Sequence, residues 1–162
     1  MQWRRGVYTH WQRQFLQPML KAMDAPSREE CTAVRPRSNT PLEALALLND
    51  PSFVTAAKSF AARILRETKS VPDQSRLTDA RIDTALRLAV GRDASAVETK
   101  VLTALLERET ERFGEHPSAA SEFLGAEEFD LGWPDGATEI ERAAWSSVAR
   151  AVLNLHETLY RP

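Results

Sequence analysis

Apolar positions recur three and four residues apart along most of this chain, and no stretch holds a convincing period-two alternation. That spacing puts side chains on one helical face, so it predicts helices almost everywhere. The clearest case is Phe53, Val54, Ala57, Phe60, Ala61, Ile64 and Leu65, which keep the spacing without a break. Ile82, Ala85, Leu86, Ala89 and Val90 predict a second inward face, and Val101, Leu102, Leu105 and Leu106 a third. Ala120, Phe123 and Leu124 fit a short helix begun by Pro117. Trp145, Val148, Val152, Leu155 and Leu159 fit one last helix. Near the N-terminus Tyr8, Trp11 and Phe15 share a face, with Pro18 breaking or restarting that helix. Gly6 and the short alternation before it also fit extended chain.

Punctuation residues set the boundaries. Thr40, Pro41 and Glu43 read as a capping box: a hydroxyl for the N3 amide, proline at N1, and a carboxylate that can reach back. Asn49-Asp50-Pro51 stops that short helix, and Asp50 caps the next, which should end near Thr68. Thr78 opens a further helix that Gly91 closes in the left-handed conformation. Ser95 with Glu98 and Thr138 with Glu141 predict two more capping boxes, and Phe113-Gly114 closes the helix behind the first. Pro26 and Pro36 bracket an irregular, rigid connection over residues 24–40. Gly125, Gly132 and Gly136, with Trp133 and Pro134, mark the main flexible loop. The expected architecture is all-α, an irregular bundle of about six or seven helices. It forms a single helical domain over residues 1–162, with an N-terminal helix and rigid connection over 1–40 and the bundle over 41–162.

Composition changes this picture little. Apolar residues make up 43% and charged residues 27%, the balance of a globular protein with a real core. The net charge of -2 argues against a general nucleic-acid binder. No apolar run approaches the roughly 20 residues of a membrane span. The opening MQWRRGVYTHW has arginines but no apolar segment behind them, so it is not a signal peptide. It starts within amphipathic material, as the C-terminal portion of a larger helical domain would. The one cysteine excludes an internal disulfide.

Candidate chemistry gathers in one stretch, where Asp24, Arg28, Glu29, Cys31, Arg35, Arg37 and Asn39 lie among four of the nine prolines. An aspartate in a proline-bounded turn with arginines nearby is one way polar ligand sites are built. The competing reading is capping and salt bridges among the same residues. Cys31 is expected to be a buried structural thiol, with a disulfide to an upstream segment or a nucleophile as alternatives. Arg4 and Arg5 could join Arg28, Arg35 and Arg37 in an anion site, or all could pair with carboxylates at a joint. Asp50 has its capping role. His10, His116 and His156 have no metal-ligand spacing, and no metal is expected. Trp11 and Trp145 fit core faces, whereas Trp133 is the better candidate for an exposed contact.

Two segments also carry a resemblance. Arg4, Arg5, Tyr8, Thr9 and Trp11 are followed by Asp24-Ala25-Pro26, then Arg28, Glu29, Cys31 and Thr32. The run Asn39 to Leu42, Ala44, Leu45, Leu47 to Pro51, Phe53 and Val54 comes next, and Ala144, Trp145, Val148, Ala149, Leu153 to Leu155 and Glu157 end it. This pattern resembles the C-terminal part of the planctomycete-type surface-protein domain of unknown function 1553. Met23, Glu43 and His156 depart from it, and Pro36 interrupts its basic run. The resemblance implies an exported protein, periplasmic or at the cell surface, built of several domains. It implies no cofactor in this chain, any haem belonging to a separate upstream domain; no Cys-x-x-Cys-His is present. The expected function is a non-catalytic structural or interaction module whose partners are upstream domains of the same polypeptide. The alternative is part of an enzyme acting on polysaccharide, completed by a missing upstream half.

Overall fold

A computed structural model describes residues 8, 10, 15–26, 31–34, 40–69, 73, 76–125 and 130–159. Among them run eight helices: α1 (Pro18–Ala22), α2 (Pro41–Asn49), α3 (Pro51–Glu67), α4 (Leu77–Val90), α5 (Ala96–Glu115), α6 (Pro117–Leu124), α7 (Glu139–Leu153) and α8 (His156–Leu159). The fold is an all-α bundle, six longer helices with a single short turn of helix near each end. Residues 11–14 of the expected N-terminal helix lie outside the described residues. Tyr8 and Phe15, expected on one helical face, are both exposed. Pro18 starts a helix at N1, so it acts as the restart.

The helix starts follow the local chemistry. The Thr40 hydroxyl accepts from the Glu43 N–H at 3.1 Å, and Asp50 Oδ1 accepts from Ser52 N–H at 2.9 Å. Pro51 keeps Asp50 extended, at φ -67° and ψ 130°, so one residue ends α2 and caps α3. Gly91 closes α4 at φ 84°, its N–H donating to the Leu86 and Arg87 carbonyls. Ser95 and Glu98 form the full reciprocal box. Thr138 accepts from the Glu141 N–H at 3.1 Å, but the Glu141 carboxylate turns away to Arg81 on α4, 2.8 Å distant. An interhelical ion pair replaces the return bond of that predicted box. The long last helix also differs from expectation. It stops at Asn154, leaving Leu155 36% exposed, and α8 begins afresh at His156.

α7 is the central element and packs on α2, α3, α4, α5, α6 and α8, most extensively on α3. The main core joins Ala57, Ala61, Ile64 and Leu65 of α3, Ile82, Ala85 and Leu86 of α4, Leu102 of α5, and Trp145, Val148, Ala149 and Val152 of α7. Each large side chain buried this way contributes about 1.5–3 kcal/mol over exposure. Alanines on both α3 and α7 let the two backbones approach closely. A smaller cluster sets Phe113 of α5 and Ala120 of α6 against Ala143 and Ala144 of α7, with Phe113 stacked on Phe123 at 5.8 Å between ring centroids. Val101, expected inward, is 60% exposed. The buried face of α5 instead runs through Leu102, Glu109 and Phe113.

Candidate functional site

Of the residues singled out in the 24–39 stretch, Asp24 and Cys31 lie within the described structure, while Arg28, Glu29, Arg35, Arg37 and Asn39 lie outside the described residues. Asp24 has a backbone explanation. It is the non-glycine residue with positive φ, 55°, among the described residues. Its N–H donates to Lys21 O at 3.2 Å, and the Ala25 N–H donates to Leu20 O at 2.9 Å. These are the paired bonds of a Schellman motif, with aspartate where glycine is usual and Pro26 blocking continuation. Aspartate tolerates this conformation better than most residues with a Cβ. Cys31 is exposed, which corrects the expectation of a buried structural thiol. Residues 31–34, the described part of that stretch, form no helix and are all exposed.

Other candidates are placed differently from the sequence reading. Trp133 is half-buried against the main core, with the Arg142 guanidinium 5.7 Å from its ring, rather than offered outward. Its loop turns at Gly125, Gly132 and Gly136, all at positive φ. Trp145 is buried as expected, and Arg81 covers its ring at 5.5 Å. His10, His116 and His156 are exposed and far apart in the chain. No group of three or more His, Cys, Asp or Glu among the described residues is placed to hold a metal.

The most unusual polar arrangement lies where α2, α5 and α7 meet. A cleft of about 260 Å³ is lined there by Leu48, Leu105, Glu109, Arg112, Ser147 and Arg150. Glu109 is buried, 8% exposed, yet sits on the apolar face of α5 between Leu102 and Phe113. Arg112 pairs with it at 2.8 Å and lies 4.3 Å from the Phe113 ring; Arg108 is 3.6 Å from the same carboxylate. Arg150 of α7 stands over the Phe123 ring at 5.4 Å and donates through Nη2 to the Leu48 carbonyl. That bond supplies a cation to the last turn of α2, which has no basic residue of its own there. Arg150 Nε is buried and meets no hydrogen-bond acceptor among the described residues. Burial pushes the Arg150 guanidinium below the usual arginine range; Glu109 pulls it back and Arg112 lowers it further. Sequence reading missed this cluster. Its trace was Glu109, a charge spaced four residues from both Leu105 and Phe113 on an apolar stripe.

Two other clefts are simpler. An open one of about 650 Å³ between α4 and α5 is lined by Asp79, Asp83, Lys100 and Glu107, and Asp83 there accepts from the Ala94 N–H. A third surrounds the Arg81–Glu141 pair, whose side chains are 15% and 32% exposed. No helix among the described residues is long and apolar enough to cross a membrane.

Comparison with known proteins places part of the chain in a family. No curated protein and no solved structure shows significant similarity to the chain. Residues 1–106 match a family described as protein of unknown function, DUF1553. The match ends inside α5, so the likeness noted from residue 144 onward lies beyond it, although α7 completes the same core. Since it spans most of the 162 residues, the chain belongs to the DUF1553 family of proteins of unknown function.

Proposed function

We propose that this chain is a non-catalytic structural or interaction module of an exported, multidomain surface protein, docking on upstream domains of the same polypeptide. The supporting observation is where apolar side chains stay wet. Five of the eight large hydrophobics found exposed among the described residues fall within residues 8–45: Tyr8, Phe15, Val34, Leu42 and Leu45. Leu42 and Leu45, 63% and 57% exposed, are one turn apart on α2 and share its outer face. Apolar side chains grouped on one face of a surface helix favour a docked partner.

The test is to co-express this chain with the polypeptide encoded immediately upstream in its own gene. A stable complex that is lost in the double variant Leu42→Ser/Leu45→Ser is expected, with the unfolding transition of the isolated chain unchanged. A reading frame with no coding sequence before Met1, or a complex indifferent to both leucines, would sink the reading. Polysaccharide cleavage by the extended protein would replace it with the enzymatic one.

A further inference from the structure

We propose that the cleft between α2, α5 and α7 is a binding site for a small carboxylate, held between the guanidinium groups of Arg150 and Arg112.

The first ground is charge. Arg108, Arg112 and Arg150 surround one carboxylate, Glu109. Arg112 and Arg108 are within ion-pair distance of it, whereas Arg150 has no carboxylate within that distance among the described residues. Positive charge is therefore in excess where water is partly excluded, and a half-buried cation without an ion-pair partner of its own is costly.

The second ground is unused hydrogen-bonding capacity. Arginine presents five donors in a planar fork that matches carboxylate geometry. Arg150 spends one donor on Leu48 O, and its Nε–H is buried without an acceptor. An orphaned buried donor carries its full desolvation cost, and a carboxylate seated on the remaining Nη donors adds charge-assisted bonds to the same guanidinium.

The third ground is the lining. Leu48, Leu105 and Ala151 give the cleft apolar walls, and Ser147 adds a hydroxyl. Its volume of about 260 Å³ suits a molecule of a few heavy atoms rather than a polymer groove. Glu109 inside the same cleft sets the preferred ligand charge. Arg108 is 72% exposed and does not line the cleft, so inside it two guanidiniums, Arg112 and Arg150, face the one Glu109 carboxylate. A single negative charge balances that pair, while a doubly charged sulfate or phosphate meets the Glu109 carboxylate in excess.

Acetate is the probe, titrated against the ¹⁵N-labelled chain at constant ionic strength, with sodium sulfate and sodium chloride as parallel arms. Saturable shifts at the Arg150 Nε–H and the Ser147 and Ala151 amides are expected with acetate, with weaker binding of sulfate and none of chloride. Arg150→Gln and Arg112→Gln should each weaken acetate at least tenfold, and Arg92→Gln should leave it unchanged. Arg112 is 55% exposed, so its variant reads binding even if loss of Arg150 disturbs α2. Shifts that grow linearly and equally with all three salts would reduce the effect to screening and overturn the proposal. Acetate binding retained in both arginine variants, or sulfate bound more tightly than acetate, would overturn it too.

Discussion

At Gly132 the backbone turns at φ +69°, and a Cβ built there falls 2.6 Å from Arg66 Nη1, the same guanidinium nitrogen that donates to the Gly132 carbonyl at 3.0 Å. Gly132→Ala must therefore accept a left-handed alanine and displace Arg66. A loss of about 1–3 kcal/mol is expected, readable as a lower urea midpoint with unchanged slope. Asp24 gives the opposite sign. At φ 55° the residue carries the cost of a Cβ in left-handed space, so Asp24→Gly should keep or increase amide protection at Asp24 and Ala25. Asp24→Val should lose it by about 1–2 kcal/mol, because branching at Cβ is worst tolerated there. Equal damage from both substitutions would mean that the carboxylate, not the backbone, matters.

At the level of elements, α8 is tied down by charge more than by burial. Arg92, just after α4, donates to Glu98 of α5 at 2.7 Å and to Glu157 of α8 at 2.7 Å, and no residue of α8 is buried. The two carboxylates hold the Arg92 guanidinium well above its ordinary range. Arg92 with the Ser95 contacts holds Glu98 down at about 2, and Arg92 holds Glu157 below the usual carboxylate range. Both carboxylates have lowered pKa values in the folded state. Their contribution is thus complete above the ordinary glutamate range and is lost as pH falls from about 4.5 toward about 2. Acidification through that window should release α8, seen as loss of amide protection over residues 156–159 while α3 and α7 stay protected. Added salt should act in the same direction, since the network is exposed. Element existence was readable from spacing and caps, as in α3, where Asp50, Pro51 and the 3,4 apolar pattern agree. The break at Asn154 was not, because Leu155 and Leu159 continue the helical spacing without joining the core. Nor was the fate of Glu141, which depended on Arg81, 60 residues away, for its partner. The same limit hid the α2–α5–α7 cleft: Arg150 meets Leu48 across 102 residues, and no local pattern encodes that pairing.

For the whole molecule, the family match and the folding unit have different ends. Residues 1–106 carry the likeness, yet Trp145, Val148, Ala149 and Val152 supply the α7 side of the main core. A fragment ending at residue 106 should show no cooperative thermal transition, whereas the complete chain should show one. Trp145→Ala should cost about 3–5 kcal/mol, a large share of the roughly 5–15 kcal/mol that hold a domain folded. A cooperative transition retained by the fragment would mean that α3, α4 and the front of α5 form a core without α7.

The late position of α7 also bears on how the chain is made. Synthesis proceeds from the N-terminus, and α3 leaves the ribosome long before the helix that covers it. Until then the face carrying Ala57, Ala61, Ile64 and Leu65 has α4 and the front of α5 against it but lacks the α7 side of the core. A nascent chain arrested at residue 125 should hold a folding chaperone, and one arrested far enough downstream to free α7 should let it go.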